Sequence, residues 1–439
     1  MRVLWVCNVI PTAFAREFGM KVNWGGGWID GIFERTKREP DLKSATGEER
    51  LIELGVCMPL SAKYAELTTQ LDGVTFYGFK ENMDAAERYD PQLEVRFKKI
   101  LDDFSPDIVH IFGTEYPHTL AMTRAFEKPK KTLIGVQGVC SEIAKVYMAD
   151  LPYVVQHAKT FRDRYRRDSL KEQQEKFRLR AQMEKEALEK TGHITGRTMF
   201  DRRATARINP DAVYHPMNET LRDTFYEGEW DIDRVRKHSI FVSQGNYPLK
   251  GLHFMLQAMP LILEKYPDAH LYVGGDSLIG NVGGAFRERS KYPLALRITA
   301  YGLYLKRLIR QGHLEGHVTM LGRLNAEQMK EQYLKSHVYV CPSVLENSPN
   351  SLGEAMLLGM PAIAAKVGGI PDLLTDGEEG ILFPSGRYGE LAEGVKAVFD
   401  ERDLAGLLGR GARRRAMITH NPDTNFARLL EIYRSMALQ

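Results

Sequence analysis

The stretch with the most obvious chemistry is Pro342-Ser343-Val344-Leu345-Glu346-Asn347-Ser348-Pro349-Asn350-Ser351-Leu352-Gly353-Glu354-Ala355-Met356. It follows the apolar run Val338–Cys341, which reads as a buried strand, and enters a helical pattern near Ser351. Loops leaving the carboxyl ends of parallel strands are where open α/β sheets bind ligands. A helix amino end adds unpaired N–H groups and a positive dipole end, which suit a diphosphate or a sugar hydroxyl. Glu346 in the loop and Glu354 in the first helical turn place two carboxylates around such a ligand. Glu354 has a second reading, because Ser351-Leu352-Gly353-Glu354 also spells a capping box that serves only the backbone of Ser351.

A second element is Val242-Ser243-Gln244-Gly245-Asn246-Tyr247-Pro248-Leu249-Lys250-Gly251. Lys250 precedes a helical pattern from Leu252, where a cation opposes the helix dipole. An anionic ligand explains it better than helix stability does, and a leaving diphosphate needs such a charge. Read alone, it is equally an ordinary surface lysine. In Thr319-Met320-Leu321-Gly322-Arg323-Leu324, an apolar strand ends in a glycine that lets backbone approach a flat base; a plain strand–turn–helix junction is the other meaning.

The first half carries weaker signals. Asn23-Trp24-Gly25-Gly26-Gly27-Trp28 offers a glycine cluster able to close on a phosphate or sugar. Gly113-Thr114-Glu115-Tyr116-Pro117-His118 follows the strand pattern Ile108–Phe112, placing Glu115 and His118 toward an acceptor or transferred sugar. A capping or packing role for His118 is the alternative. Gln137-Gly138 and Gly196-Arg197-Thr198 also follow strand patterns.

These segments need a scaffold that aligns strand ends. Short apolar runs alternate with amphipathic stretches throughout, the pattern of parallel sheets with helical crossovers. The strand candidates are Arg2–Cys7, Leu51–Val56, Val74–Phe79, Ile108–Phe112, Thr132–Gln137, Ile194–Thr198 and Ala212–His215 in the first half. In the second they are Ser239–Ser243, His270–Val273, Val318–Leu321, Val338–Cys341, Ala362–Ala365 and Gly380–Phe383. With 439 residues, the chain suits two domains of roughly 200 residues: 1–220 and 221–423, with 424–439 a helix returning to the first domain. Phe161–Lys190 reads as one long helix with i,i+4 pairs such as Glu172/Lys176 and Glu186/Lys190. It is either a solvated helix of the first domain or, through Arg162, Arg164, Arg166 and Arg167, a membrane-surface contact. A net charge of +3 argues against nucleic acid. The four cysteines lack metal or redox spacing and read as buried thiols of a reducing cytoplasm. No apolar run is long enough to span a bilayer.

Taken in order, Lys250-Gly251, Gly322-Arg323-Leu324, the Glu346-x7-Glu354 pair, the helix Glu354–Pro361 and Gly368-Gly369-Ile370-Pro371-Asp372 resemble the retaining glycosyltransferases of family 4. The resemblance implies a GT-B fold, with two Rossmann-like α/β domains facing across a cleft. It implies that Lys250 neutralises the diphosphate of a UDP- or GDP-sugar and that Glu354 binds the ribose. Glu346, with the N–H groups of Asn350, Ser351 and Leu352, would hold the sugar and its phosphate. Gly322, Arg323 and Leu324 would hold the base, and Gly26 and Gly27 would face donor and acceptor. Lys250 and Glu346 are the catalytic candidates; Glu115, His118, Gln137 and Arg197 lie on the acceptor or sugar side. The leaving phosphate would deprotonate the acceptor on the same face, with no cofactor beyond the donor and no metal. A saccharide or lipid-linked saccharide acceptor, in surface polysaccharide synthesis at the cytoplasmic face of the membrane, is implied more softly. Two departures stand out. Gly245 occupies a position where the family commonly carries an arginine sharing the diphosphate, for which Arg197 or Arg323 could compensate. Gln137 stands where many relatives have a histidine. The alternatives are a sugar-nucleotide-binding protein without catalysis, or another GT-B enzyme such as a sugar-nucleotide epimerase.

Overall fold

The computed structural model describes residues 1–20, 27–37, 52–148, 150–277 and 296–439. They gather into two compact units. The first comprises Met1–Ala144, Lys176–Leu221 and His420–Gln439, and the second Lys145–Glu175 and Arg222–Thr419.

The first unit is built on β1 (Arg2–Val6), β2 (Glu53–Pro59), β3 (Thr68–Leu71), β4 (Val74–Phe79), β5 (Ile108–Phe112), β6 (Thr132–Gly135), β7 (His193–Gly196) and β8 (Val213–Pro216). Their order is β3-β4-β2-β1-β5-β6-β7-β8, with every described pairing parallel except β3–β4. β5 is buried throughout, as a strand covered on both faces must be. The helix Pro422–Ala437 belongs to this core. Its Tyr433 hydroxyl accepts from Trp5 Nε1 at 2.8 Å and meets His110 Nδ1 at 2.6 Å. Burial lowers the His110 pKa to about 3, so this ring is neutral at physiological pH.

The second unit carries β9 (Arg236–Val242), β10 (His270–Gly274), β11 (Val318–Gly322), β12 (Ser336–Cys341), β13 (Ala362–Ala365) and β14 (Ile381–Phe383), all parallel, in the order β11-β10-β9-β12-β13-β14.

Three expectations change. The edge strand β3 had not been anticipated; it forms a hairpin with β4 through Asp72 and Gly73, both at positive φ (52° and 77°), as a tight mirror-image turn requires. The stretch from Phe161 is not one helix. Phe161–Arg166 ends at Arg167 in the left-handed region (φ 51°), and Leu170–Glu189 starts afresh. Ser169 donates both its N–H and its hydroxyl to Glu172, at 2.8 and 2.6 Å, fixing the new start. Glu172 pairs with Lys159 at 2.9 Å rather than with Lys176, while Lys190 does approach Glu186, at 3.9 Å. Finally, Lys145–Glu175 groups with the second unit rather than the first. There the Asp163 carboxylate accepts the N–H of Ala300, first residue of the helix Ala300–Gln311, at 2.9 Å.

Candidate functional site

In the second unit, strand order reverses between β9 and β12. Such reversals are where open α/β sheets bind ligands, at the carboxyl ends of the two strands. The loop after β9 ends in the turn Pro248–Lys250 and Gly251, at φ 68°. The Val344 N–H, from the loop after β12, donates to the Leu249 carbonyl at 2.8 Å. A Cβ on Gly251 would stand 1.7 Å from the Pro342 oxygen, so only glycine permits this approach. The loop after β13 joins through Gly369, whose N–H donates to the Glu346 carbonyl at 3.1 Å. Gly368 has φ 51°, and a Cβ there would lie 1.8 Å from that same carbonyl oxygen.

This three-loop junction brings together two residues 96 positions apart. Lys250 Nζ donates to Glu346 Oε1 at 2.6 Å, and the Ser343 hydroxyl donates to the same oxygen at 2.8 Å. The two charged side chains are 20% and 12% exposed, so they are largely but not wholly desolvated. Burial works against the Lys250 ammonium, but the Glu346 carboxylate outweighs it and holds the lysine above its usual range. The sequence placed both residues at one ligand; it did not show that each is the other's partner.

Glu354 lies in the helix Asn350–Leu357, which starts after Pro349 with no side-chain cap. The capping-box reading fails, because Ser351 is already inside the helix and its hydroxyl accepts from Tyr339 at 2.9 Å. Glu354 instead receives Arg222, at 2.5 Å from Nη2 and 3.2 Å from Nε. The Tyr333 hydroxyl, bonded to the Ser351 carbonyl at 2.9 Å, also reaches Glu354 Oε2 at 3.4 Å. Burial raises the Glu354 pKa against the opposing pull of Arg222. Of the N–H groups expected at a ligand, that of Leu352 is engaged by the Pro349 carbonyl at 3.0 Å.

Gly322 stands at φ 75°, and its carbonyl accepts the Gly275 N–H at 2.9 Å. Arg323 forms a two-pronged pair with Asp276, both contacts at 2.7 Å, and Leu324 is half-buried. These residues end β11, two strands from β9, a separation of about 10 Å at normal strand spacing. Gly245 is packed: a Cβ there would lie 2.6 Å from Leu252 Cδ2 and 3.0 Å from Val273 Cγ1. Any side chain here would displace apolar neighbours. Of the two arginines that could compensate, Arg323 is bound to Asp276 and Arg197 to Glu219, each a carboxylate of its own unit.

In the first unit, strand order reverses between β1 and β5. Glu115 follows β5. Its carboxylate accepts the Thr114 N–H at 2.9 Å, and Arg180 Nε donates to its carbonyl at 2.7 Å. Cβ atoms on Gly113 and Gly138 would stand 2.5 and 2.8 Å from its carboxylate oxygens, so the two glycines let backbone enclose this group. Burial raises its pKa, while Arg180 and the N–H groups of Glu115, Thr114 and Gly138 oppose the shift. His118 is fully buried, with Nδ1 at 2.6 Å from Glu81 Oε2 and its N–H donating to Oε1 at 2.8 Å. Its ring packs near Phe79 and Tyr116. His118 is thus held in the first unit by Glu81 and by ring packing, with its Nε2 buried and without a hydrogen-bond partner among the described residues.

Gln137 and Arg197 do meet, through Glu219. Gln137 Nε2 donates to Glu219 Oε1 at 2.7 Å, and Arg197 Nη1 pairs with Glu219 Oε2 at 2.5 Å. The His420 ring meets the Glu219 carbonyl at 2.8 Å. The cluster borders a cavity of about 30 Å³, room for water. Gly26 lies outside the described residues, and Gly27 begins the helix Gly27–Lys37. Sequence reasoning missed the partnerships of Arg222, Ser343 and Glu219. Arg222 and Glu354 are 132 positions apart, and no local pattern links them.

Residues 226–415 match the protein family described as glycosyl transferases group 1. Among curated proteins, the chain is similar to the D-inositol 3-phosphate glycosyltransferase of Arthrobacter sp. (strain FB24). The two are 27% identical over 164 residues, 37% of this chain and 35% of that relative. The chain spans less than half the length of the first curated relatives it matches. Its fold resembles that of sucrose-phosphate synthase from Thermosynechococcus elongatus, at 15% identity over 99% of both chains with a TM-score of 0.69. It also resembles Anabaena Alr3699/HepE in complex with UDP, at 16% identity over 99% of this chain and 100% of that one, with a TM-score of 0.65.

Proposed function

From the premise that residues 226–415 form a group 1 glycosyltransferase domain in a chain of GT-B fold, we propose that the chain is a retaining glycosyltransferase. It moves a sugar from a UDP- or GDP-sugar to a saccharide or lipid-linked saccharide, in surface polysaccharide synthesis at the cytoplasmic face of the membrane. The observation carrying this reading is the 2.6 Å Lys250–Glu346 pair where strand order reverses.

A donor diphosphate carries more charge than one carboxylate and competes with Glu346 for the ammonium. Lys250 and the amino end of Asn350–Leu357 then stabilise charge growing on the leaving phosphate. Glu346, released from the ammonium, accepts hydrogen bonds from the transferred sugar. Glu354 takes the ribose hydroxyls, and the β11 end takes the base. The leaving phosphate accepts the acceptor's proton on the same face, so the step uses no protein nucleophile and no metal. Solved relatives support the donor class: Alr3699/HepE has been seen with UDP and with UDP-glucose.

The packed Gly245, which leaves this loop without a second cation, favours a second reading: a protein that binds sugar nucleotides without turnover. A thermal-shift screen of UDP, GDP, ADP and their sugar conjugates identifies the ligand by mass action. Radiolabel transferred from that donor to a saccharide supports the enzyme; selective binding without transfer to any acceptor supports the second reading. No stabilisation by any nucleotide overturns both.

A further inference from the structure

Four large apolar side chains stand in solvent within one short stretch of the second unit. Tyr153 is 72% exposed, Val154 76%, Phe161 64% and Tyr165 79%. They sit on two short helices, Tyr153–His157 and Phe161–Arg166. Phe161 and Tyr165 are one helical turn apart and share a face with Arg164. Folding does not require this exposure. An isolated exposed apolar residue is ordinary, whereas four within thirteen residues of chain, two of them on one helical face, mark a surface that meets something.

The cations of the segment divide into two sets. Arg162 is turned to structural use, pairing with Asp168 at 2.5 Å and Asp163 at 3.3 Å. Asp163, buried, caps its own helix with Thr160 and accepts the Ala300 N–H. This anchors the short helix in the unit. Arg164, Arg166 and Arg167 are exposed, and none of the ion pairs among the described residues uses them. From Tyr153 to Arg167 the only acidic residue is Asp163, and it is buried. The segment therefore presents aromatic and aliphatic groups among uncompensated guanidinium groups.

We infer that this surface docks on an anionic lipid bilayer. Amphipathic aromatic rings settle at the level of the headgroups, and arginines beside them neutralise acidic lipids. A protein partner would need matching acidic pockets; a bilayer supplies the negative charge and the apolar layer together. No helix of the described residues is long and apolar enough to cross a membrane, so docking is peripheral. The inference rests on the proposed lipid-linked acceptor only for its usefulness, because such an acceptor is confined to a membrane surface.

The test is flotation of the full chain with phosphatidylcholine vesicles, with and without phosphatidylglycerol, in the absence of donor and acceptor. Binding is expected only with phosphatidylglycerol and should weaken with salt. Tyr153→Ser/Phe161→Ser/Tyr165→Ser and Arg164→Glu/Arg166→Glu/Arg167→Glu should each lower partitioning at least about tenfold with an unchanged melting midpoint. Transfer to a short soluble acceptor should stay at the wild-type rate, so a failure here is separable from a failure of the enzymatic reading. The proposal is overturned if the wild type ignores anionic vesicles, if both variants bind as it does, or if sedimentation shows a dimer of the wild type that the aromatic variant dissociates.

Discussion

Both units place a carboxylate where their strand order reverses, and they hold it in opposite ways. Glu346 faces an ammonium on a neighbouring loop, and the Lys250 and Glu346 side chains keep 20% and 12% of their surface exposed. Glu115 is enclosed by the N–H groups of its own turn and by two glycines. The other charged cluster of the first unit, Arg197–Glu219–Gln137, is held by more than one side-chain bond, and its Arg197 and Glu219 side chains are 6% and 10% exposed. Under the proposed function, the donor diphosphate divides the Lys250–Glu346 pair, which makes it a binding device. A pair locked by further hydrogen bonds holds strand ends in register.

The sharpest way to break this contrast is to remove one half of the open pair. Lys250→Ala and Glu346→Ala should each lower turnover at least about a hundredfold, measured as radiolabelled sugar transferred at saturating donor. The double variant should cost less than the product of the two, since the residues act as a unit. Wild-type rates in both single variants would end the case for this site. The closed pair should respond in stability instead. Arg197→Met leaves Glu219 without its main partner and should cost roughly 2 kcal/mol in urea unfolding, with UDP affinity by calorimetry unchanged. Lost UDP binding in that variant would erase the distinction.

The junction beneath the open pair can be tested through its backbone. Gly368→Ala forces a side chain into the left-handed region and against the Glu346 carbonyl. A stability loss of about 1–2 kcal/mol is expected, together with weaker UDP binding, because Glu346 is carried on the strained loop. The smallest effect concerns pH. Burial lowers the pKa of His110 to about 3, and those of His215, His337 and His420 to about 4. The unfolded chain takes up these protons near pH 6.5 and the folded chain does not, so stability falls as pH drops from about 6.5 toward 4. Between about pH 7.5 and 6.5 the loss should be a few tenths of a kcal/mol for each histidine, read as a falling urea midpoint. Three of these rings lie in the first unit, so its unfolding should be the more acid-sensitive.

The strands of both sheets were visible in the sequence because parallel strands covered on both faces are continuous apolar runs. β3 was not, because its exposed and half-buried residues alternate at an edge; the Asp72-Gly73 turn was the signal to follow. The break at Arg167 was hidden by helix-favouring charges on both sides. Lys250 and Glu346 could be placed at one ligand because each follows a strand of one sheet. The identity of Glu354's partner could not, since nothing local chooses between Ser351 and an arginine outside the motif.

The bond between Trp5 and Tyr433 has a consequence for biosynthesis. β1 precedes the second unit in the chain and the helix Pro422–Ala437 follows it, so this core closes only after the second unit has been made. That unit can complete its own sheet while the first is still open, which departs from the domain-by-domain order of folding during synthesis.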